Sequence, residues 1–424
     1  MIKETIDYLK DPHLVARIQE FFGIRIHYAK ESQNIEEKEC TDECKRTEKR
    51  RNGYTDGKIN GSCKFDYCKE EKQKNLPSDA ENSVESESLN YTITNYFWYY
   101  LFLFGTELGD ETFYCAFIPF WFWNIDGAVG RRVVLVWAII MTIGQAMKDI
   151  IRWPRPSCPP ATRLQSKWSQ EYGMPSTHAM IGMSIPFSVI LFTMNRYIYS
   201  FTVGCTIATI WCILVFTSRL YLGMHTVLDI VVGLSLAIIL MIPLIPLVDF
   251  TDYYFLTESW AIGALIALTI ITIVYYPQSD RWTPTRGDTA MVVSVTAGVY
   301  VGAWLNYKTG ALSAPLLPPP YNIIWPSCPM FGRMTLRTII GFCCVIATKA
   351  ICKSLSYAAI STMFRVNTKE LMKSEISLNN TKKVLADLVY KYISCFMIGF
   401  NTVYLLPNVF TILGIERPTF YTEM

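Results

Sequence analysis

The distribution of hydrophobic and polar residues divides the chain near residue 93. Residues 31–93 are rich in Glu, Lys, Asp and Asn and contain too little apolar surface to offset the entropy lost on ordering. We therefore predict this segment to be largely disordered. The first thirty residues carry apolar positions at helical spacing, which predicts one short amphipathic helix on the membrane surface or, equally, a packed core helix.

After residue 93, long apolar runs follow one another along the chain. A helix needs about 20 mainly apolar residues to cross a hydrocarbon core of roughly 30 Å. The runs cover residues 96–123, 133–151, 178–194, 197–217, 226–248, 258–276, 289–306, 337–358 and 388–412. They lack period-two alternation and are too long for membrane-spanning strands. The pattern predicts an all-α fold, a polytopic membrane helix bundle of about 8–9 transmembrane helices.

The composition agrees with a membrane protein. Hydrophobic residues make up 51% of the chain and charged residues only 18%, whereas about a quarter of the residues of a soluble domain are charged. A formal net charge of +3 gives no electrostatic argument for a nucleic-acid partner. We divide the chain into a polar N-terminal region (1–93), a membrane-embedded core (94–250) and C-terminal transmembrane helices (251–424).

Three short polar blocks lie at the ends of apolar runs. They are Lys148-Asp-Ile-Ile-Arg-Trp-Pro-Arg155-Pro156, Pro175-Ser-Thr-His178 and Ser218-Arg-Leu-Tyr-Leu-Gly-Met-His225-Thr-Val-Leu-Asp229. Counting the crossings puts all three blocks on one face of the membrane. There they bring together cations, two imidazoles, a hydroxyl and a carboxylate, which is what binding and breaking a phosphate ester requires.

The spacing K-x6-R-P, then P-S-x-H, then S-R-x5-H-x3-D resembles the three-part signature of the type 2 phosphatidic acid phosphatase superfamily. Thr177 fills the position for which that signature has a small residue. The sequence around the motifs is most similar to sphingosine-1-phosphate phosphatases, and the resemblance covers roughly residues 95–415. It implies a six-helix phosphatase core, a phosphorylated sphingoid base as substrate and an endoplasmic reticulum membrane location.

The two motif histidines receive different predicted roles. His225 and Asp229 are four residues apart at the start of a helix, so the carboxylate can orient one ring nitrogen while the other points outward. We predict that His225 is the nucleophile and forms a phosphohistidine. His178 then serves as the general acid that protonates the leaving alkoxide, and later as the base that activates water.

The remaining motif residues are predicted to hold the substrate phosphate. Cations bind the phosphoryl oxygens, a hydroxyl adds a donor, and the first amides of the helix that follows Pro175 form an anion site. The predicted phosphate-binding residues are Lys148, Arg155, Ser176, Thr177 and Arg219. Three cations can do the electrostatic work often assigned to Mg²⁺, and no cluster of carboxylates indicates a metal, so we expect neither a metal nor a cofactor.

Other interpretations compete with this one. A lone Lys or Arg at a membrane edge usually snorkels, and a lone His at a helix start usually caps the helix. Only four histidines occur in the chain, however, and two of them lie in the motifs. A transporter or a silent phosphate-binding scaffold is the second hypothesis, although the two halves show no internal repeat. Lysophosphatidate, prenyl phosphate and glucose 6-phosphate are the alternative substrates, and the oligomeric state stays open.

Several polar features outside the motifs have more than one interpretation. Glu107, Asp110 and Glu111 interrupt the first apolar run, either as partners of a motif cation or at a helix break. The Pro-rich segment 315–329 is a loop or a re-entrant hairpin. A group of cysteines in the polar tail has spacing only loosely like a zinc site, with disulfides as the alternative: Cys40, Cys44, Cys63 and Cys68.

The orientation in the membrane rests on two arguments. Arg131, Arg132 and Arg196 lie in short loops opposite the motifs, and the positive-inside rule puts that face in the cytoplasm. The motif face is nearly as cationic once the phosphate ligands are set aside, so the resemblance decides for a lumenal active site. If residues 96–123 cross once, the N-terminal tail is also lumenal and the Asn60 sequon is glycosylated.

Overall fold

The computed structural model describes residues 2–27, 90–165, 168–315, 318–374 and 380–423. Most of the tail that the sequence analysis predicts to be disordered lies outside these residues, as do Asn60 and the four tail cysteines. The chain forms two compact units. One contains residues 24–94, and the other contains the first 23 residues together with everything from residue 95 onward.

Helices dominate the described residues. In chain order they are α1 (Ile2–Leu9), α2 (Pro12–Phe21), α3 (Tyr96–Glu107), α4 (Glu111–Asn124), α5 (Gly127–Ile151), α6 (Thr177–Thr193), α7 (Phe201–Tyr221), α8 (Val227–Thr257), α9 (Ser259–Val274), α10 (Thr285–Lys308), α11 (Cys328–Phe364), α12 (Thr368–Lys373), α13 (Thr381–Phe400) and α14 (Leu406–Ile412). A π-helical turn, Asn401–Leu405, joins the last two, and a 3₁₀ turn, Phe420–Thr422, follows.

Strands are few and short. In the smaller unit, β1 (Ile24–His27) pairs antiparallel with β2 (Asn90–Ile93), with Ile24 opposite Ile93. In the larger unit, β3 (Tyr197–Ile198) pairs in parallel with β4 (Tyr321–Asn322).

Six helical segments are long and apolar enough to cross a membrane, among the residues that the structure describes. They are α5, α7, α8, α10, α11 and the continuous segment Thr381–Ile412. Two shorter apolar helices, α6 with 17 residues and α9 with 16, join them in the bundle. The prediction of an all-α, multi-pass membrane bundle is confirmed.

The first apolar run is not one continuous helix. It breaks at residues 108–110 into α3 and α4, and Asp110 caps α4 by accepting a hydrogen bond from the amide of Thr112. The acidic residues of this run therefore mark a helix break. With 12 and 14 residues, neither piece reaches the length of a full span alone.

Contacts at its two ends show that the broken run still crosses the bundle once. The ring of Phe102 in α3 lies 4.8 Å from that of Tyr221, at the end of α7. Just beyond α4, Asp126 accepts a 2.5 Å hydrogen bond from Arg196, which precedes the start of α7. The two ends of residues 96–126 therefore lie on opposite faces of the membrane bundle.

We call one face of the bundle the motif face; its described loops are 152–165, 168–176, 222–226 and 275–284. The other is the opposite face, with the described loops 194–200, 309–315 and 318–327. The amide of Tyr321 donates a 2.8 Å hydrogen bond to the carbonyl of Arg196 and so ties the last two loops together. The described parts of the Pro-rich segment therefore form a loop on the opposite face.

The second half of the bundle packs through glycines. A Cβ atom at Gly298 in α10 would lie 2.0 Å from the carbonyl oxygen of Phe396, and one at Gly399 in α13 would lie 2.2 Å from that of Val295. Only glycine permits this approach of the two backbones, which is a common way for membrane helices to associate. The close pair holds α10 against α13, and α10 in turn packs against α5.

The N-terminal segment contains two helices where the sequence predicts one, and α2 packs against the motif face. Gln19 in α2 is fully buried. Its side-chain nitrogen donates to the carbonyls of Thr162 (2.6 Å) and Tyr221 (2.8 Å), and its oxygen accepts from the amide of Thr162 (2.9 Å). This glutamine therefore joins two motif-bearing loops to the N-terminal segment.

Candidate active site

The end of α5 presents the first motif. Lys148 lies in the last turn of that helix, and Arg152 adopts a left-handed conformation (φ 54°) that ends it. Pro154 and Pro156 prevent the helix from continuing, so Arg155 lies in the loop. The helix end is fixed by Asp149, whose buried carboxylate accepts hydrogen bonds from Thr285 (2.5 Å) and Tyr276 (3.1 Å).

The second motif forms the start of α6. Ser176 is the N-cap, and its hydroxyl oxygen accepts a 3.4 Å hydrogen bond from the amide of Ala179. The Ser176 amide donates to the carbonyl of Asp229 at 3.1 Å, which joins the second motif to the third. Because α6 begins at Thr177, the first amides of the helix have no intrahelical acceptor and face the motif side.

The third motif turns from α7 into α8. Gly223 has a φ of +66°, and a Cβ atom there would lie 2.2 Å from the carbonyl oxygen of Thr162. Only glycine therefore fits this turn, which places Met224 and His225 beneath the loop of the first motif. At the start of α8, Thr226 and Asp229 form a reciprocal capping box.

The structure places His225 in a buried, cationic environment. Only 1% of the residue is exposed, and its Nε2 atom lies 3.5 Å from Nη1 of Arg155. Burial, followed by the charges of Arg155, Arg219 and Lys148, lowers the pKa of His225 well below its usual value. The imidazole is therefore neutral at neutral pH, which is the form that can act as a nucleophile.

Asp229 is next to His225, but it does not form the hydrogen bond that the spacing suggests. Its Oδ2 atom lies 3.7 Å from Nδ1 of His225 and accepts a 2.8 Å hydrogen bond from the amide of Thr226. The oxygen nearest the imidazole, Oδ2, is thus already hydrogen-bonded in the N-terminal cap of α8. A shift of less than 1 Å would close the contact, and such contacts are often long before substrate binds.

Glu171 is the residue that the sequence analysis does not identify. Its Oε2 atom accepts a short hydrogen bond from Lys148 and lies 3.9 Å from Nη2 of Arg155, so one carboxylate contacts two predicted phosphate ligands. Lys148 also donates to Thr177 at 2.9 Å. A signal was available, because Glu171 is the sole acidic residue between Asp149 and Asp229.

Arg219 is a buried cation with unused donors. Its Nη1 atom donates to the hydroxyl of Thr106 at 2.7 Å and to the side chain of Gln165 at 3.4 Å. Its Nε and Nη2 atoms are buried and have no hydrogen-bond acceptor within the described part of the chain. Since buried charges are normally paired, this guanidinium has donors available to bind an anion.

His178 lies at the helix break of the first crossing. Its ring meets the ring of Trp168 edge to face, with centroids 5.9 Å apart. A Cβ atom at Gly109 would lie 3.1 Å from Cδ2 of His178, so the break between α3 and α4 makes room for the imidazole. The structure thus groups the predicted site residues on the motif face, and it adds Glu171, Thr106 and Gln165 to them.

A cavity of about 1090 Å³ lies elsewhere, between α4, α6, α7 and α11, and contains no motif residue among its lining side chains. Its charged rim, which includes Arg337 and Arg417, belongs to the opposite face. A large apolar cavity is often the first candidate for an active site. Here the phosphate chemistry lies at the other face of the bundle.

The fold and the three motifs define a class of membrane phosphatase. A family model described as the PAP2 superfamily matches residues 130–252, the segment that contains all three motifs. No solved structure matches the chain significantly.

Similarity to individual proteins identifies the family within this superfamily. The chain is 37% identical over 324 residues to sphingosine-1-phosphate phosphatase 1 of Rattus norvegicus, covering 75% of this chain and 73% of the relative. For the Mus musculus protein of that name the identity is 33% over 429 residues, which cover 96% of this chain and 97% of the relative. For sphingosine-1-phosphate phosphatase 2 of Homo sapiens the identity is 34% over 327 residues, which cover 77% of this chain and 80% of the relative. The chain therefore belongs to the sphingosine-1-phosphate phosphatase family of the PAP2 superfamily, and the predicted resemblance is confirmed.

Proposed function

We propose that this protein is a metal-independent phosphatase that hydrolyses sphingosine 1-phosphate and dihydrosphingosine 1-phosphate to the sphingoid base and inorganic phosphate. The observation that carries the proposal is the buried guanidinium of Arg219, whose two unused donors lie in the same site as Arg155 and the neutral imidazole of His225. The substrate class follows from the names of the relatives.

Binding brings the phosphate into the group of cations. Arg219 offers two donor atoms, Nε and Nη2, and Arg155 and Lys148 contribute positive charge from the loop and from α5. In the free site Glu171 partly neutralises the latter two cations, so the phosphate dianion competes with this carboxylate for them. The hydroxyl of Thr177 and the first amides of α6 complete the set of donors.

The reaction then proceeds in two displacements. The Nε2 lone pair of His225 attacks phosphorus, the phosphorus–oxygen bond to the lipid breaks, and His178 gives its proton to the departing alkoxide. His178 next takes a proton from water as that water attacks the phosphohistidine. The phosphorus–nitrogen bond breaks, phosphate leaves and both imidazoles return to their starting states. Asp229 stabilises the positive charge that His225 carries while it is phosphorylated.

Phosphate release from a panel of substrates tests the proposal. We expect purified protein in detergent to hydrolyse sphingosine 1-phosphate in the presence of EDTA and to be blocked by vanadate, which imitates five-coordinate phosphorus. The panel includes lysophosphatidate, a prenyl phosphate and glucose 6-phosphate. Activity that disappears with EDTA and returns with Mg²⁺ would contradict the metal-independent mechanism, and absence of hydrolysis across the panel would favour a transporter or a silent scaffold.

We also propose that the active site faces the lumen of the endoplasmic reticulum. Arg131, Arg132 and Arg196 lie on the opposite face, but the motif face is nearly as cationic once the phosphate ligands are set aside. The similarity to endoplasmic reticulum lipid phosphatases therefore carries this proposal. The single crossing by α3 and α4 supports a lumenal N-terminal tail as well, so Asn60 should carry a glycan in intact cells. An unmodified Asn60, together with a tail that added protease cleaves in sealed microsomes, would refute this orientation.

A further inference from the structure

A second, smaller cavity adjoins the phosphate site. It has a volume of about 20 Å³ and lies between α4, α5, α6, α10 and the loop that precedes α6. Thr177 and His178 line it on the side of the phosphate site. Its other polar lining residues include Gln145, Glu171 and Asp288, and the rest of the wall is mainly apolar and aromatic. A space of this size holds one water molecule or a group as small as one.

Three oxygen atoms of residues that line this cavity have no hydrogen-bond donor among the described residues. They are Oε1 of Gln145, Oε1 of Glu171 and Oδ2 of Asp288. The three residues are 1%, 3% and 4% exposed, so bulk water does not satisfy them. Buried acceptors without protein donors favour a donor-rich group that enters the cavity.

The charged residues around the small cavity indicate which kind of group would bind there. Lys391 lies 3.7 Å from the other oxygen of Asp288, but it also pairs with Asp387 at 3.4 Å. One lysine is thus shared by two carboxylates, those of Asp288 and Asp387. The cavity therefore favours a cation over a neutral molecule.

We propose that this cavity binds the primary ammonium group of a phosphorylated sphingoid base, an assignment that rests on the proposed function. A primary ammonium has three N–H donors, which equals the number of unsatisfied oxygen acceptors, whereas a water molecule has two. The indole N–H of Trp137, which also lines the cavity and has no acceptor among the described residues, is not satisfied by the ammonium. Its positive charge complements Asp288, whose lysine partner is shared with Asp387, and it is about the size of the water that the cavity can hold.

The position of the cavity agrees with the covalent structure of such a substrate. In a sphingoid-base phosphate the amine is on the carbon next to the one that bears the phosphate ester, so nitrogen and leaving oxygen are close neighbours. His178 protonates that oxygen in the proposed mechanism, and His178 lines the cavity. Lysophosphatidate has a hydroxyl at the corresponding position, which supplies one donor and no charge. The cavity therefore discriminates between lipids that carry the same phosphate.

Substrates with and without the amine test this proposal in the full-length protein. The panel is sphingosine 1-phosphate, its N-acetyl derivative, in which a neutral amide replaces the ammonium, and hexadecyl phosphate, which has no nitrogen. For wild type we expect kcat/KM to be at least about 10-fold higher for the amine than for either analogue. Asp288→Asn and Gln145→Leu should each lower kcat/KM for the amine by about 10-fold and change that for hexadecyl phosphate by less than about 3-fold.

Asp387→Asn is the matched control, because Asp387 also pairs with Lys391 but does not line the cavity. It should leave the preference for the amine unchanged. Equal losses on all three substrates in Asp288→Asn would show a structural role and overturn the proposal. A wild-type enzyme that hydrolyses all three lipids equally would overturn it too, while leaving the phosphatase function intact. A wild-type protein that hydrolyses none of them would refute the function itself.

Discussion

Replacing Arg219 by Met should lower turnover and raise stability at the same time. The guanidinium is fully buried. Among the described residues, no carboxylate oxygen lies within 4.0 Å of its nitrogens, the distance that defines an ion pair. It is held by hydrogen bonds to Thr106 and Gln165, while Nε and Nη2 have no acceptor. In the free protein the charge therefore has no direct ion pair, although Glu171 and Asp110 compensate it in part from a greater distance, and in the proposed complex it binds phosphate.

The magnitudes of the two effects follow from these contacts. A hydrogen bond to a charged group contributes about 1.5–3 kcal/mol, so losing two such bonds to the phosphoryl group costs at least about 3 kcal/mol, or roughly 150-fold in kcat/KM. In the free protein, Arg219→Met loses one good hydrogen bond of the same charged kind, the one to Thr106, about 1.5–3 kcal/mol. It also removes the desolvation cost of a buried ion, which amounts to several kcal/mol. The removed desolvation cost exceeds the lost hydrogen bond, so the free energy of unfolding should be higher for Arg219→Met than for wild type.

Phosphate release and thermal unfolding, both followed in the same detergent, give the two readouts. Arg152→Met is the control, because that arginine belongs to the same face, is 45% exposed and lies 3.9 Å from Asp280. Its activity and midpoint temperature should stay close to those of wild type. If Arg219→Met unfolded at a lower temperature than wild type and kept its activity, Arg219 would be a structural residue and the phosphate assignment would be wrong.

Three further changes probe how the site is held. Gly223→Ala should lower activity at least about 10-fold, because its Cβ would lie 2.2 Å from a carbonyl oxygen and its φ is +66°, whereas Gly263→Ala, with open space, should be tolerated. Gln19→Leu should lower the melting temperature and loosen the motif loops, seen as faster proteolysis, since it removes three buried hydrogen bonds. The unfolding free energy should fall as the pH drops below about 6.5, because the pKa of His225 is lower in the folded state, so the unfolded chain takes up the proton first. A melting temperature that falls as steeply in His225→Ala as in wild type would assign that pH dependence to other groups.

The sequence predicts the helices well because hydrophobic length alone determines where a chain can cross a bilayer. The broken first crossing shows the limit of that argument. Mean hydropathy treats residues 96–123 as one run, while the caps and the close approach of Gly109 to His178 decide that it is two helices. The prediction that α1 and α2 form one helix failed for a similar reason, since Asp11 caps a new helix at Pro12.

The predicted site depends on motif spacing, and the structure adds what spacing does not contain. The second and third motifs are joined by a hydrogen bond from the amide of Ser176, at the start of α6, to the carbonyl of Asp229 in α8. Glu171 lies in a loop with no periodicity, so its contacts with Lys148 and Arg155 appear only in three dimensions. Asp288 is about sixty residues beyond the last motif, and only the packing of α10 against α5 brings it to the site.

Trapping of the phosphoenzyme tests the central claim most directly. Purified protein is mixed with sphingosine 1-phosphate labelled in the phosphate, in the presence of EDTA, and quenched in alkali within milliseconds to seconds. The label should be found on His225 as an acid-labile, alkali-stable phosphohistidine, and His225→Ala should carry none. His178→Ala should still acquire label, more readily from a substrate with a good leaving group, because only the proton donor is missing. Label trapped on His225→Ala as efficiently as on wild type would contradict the account.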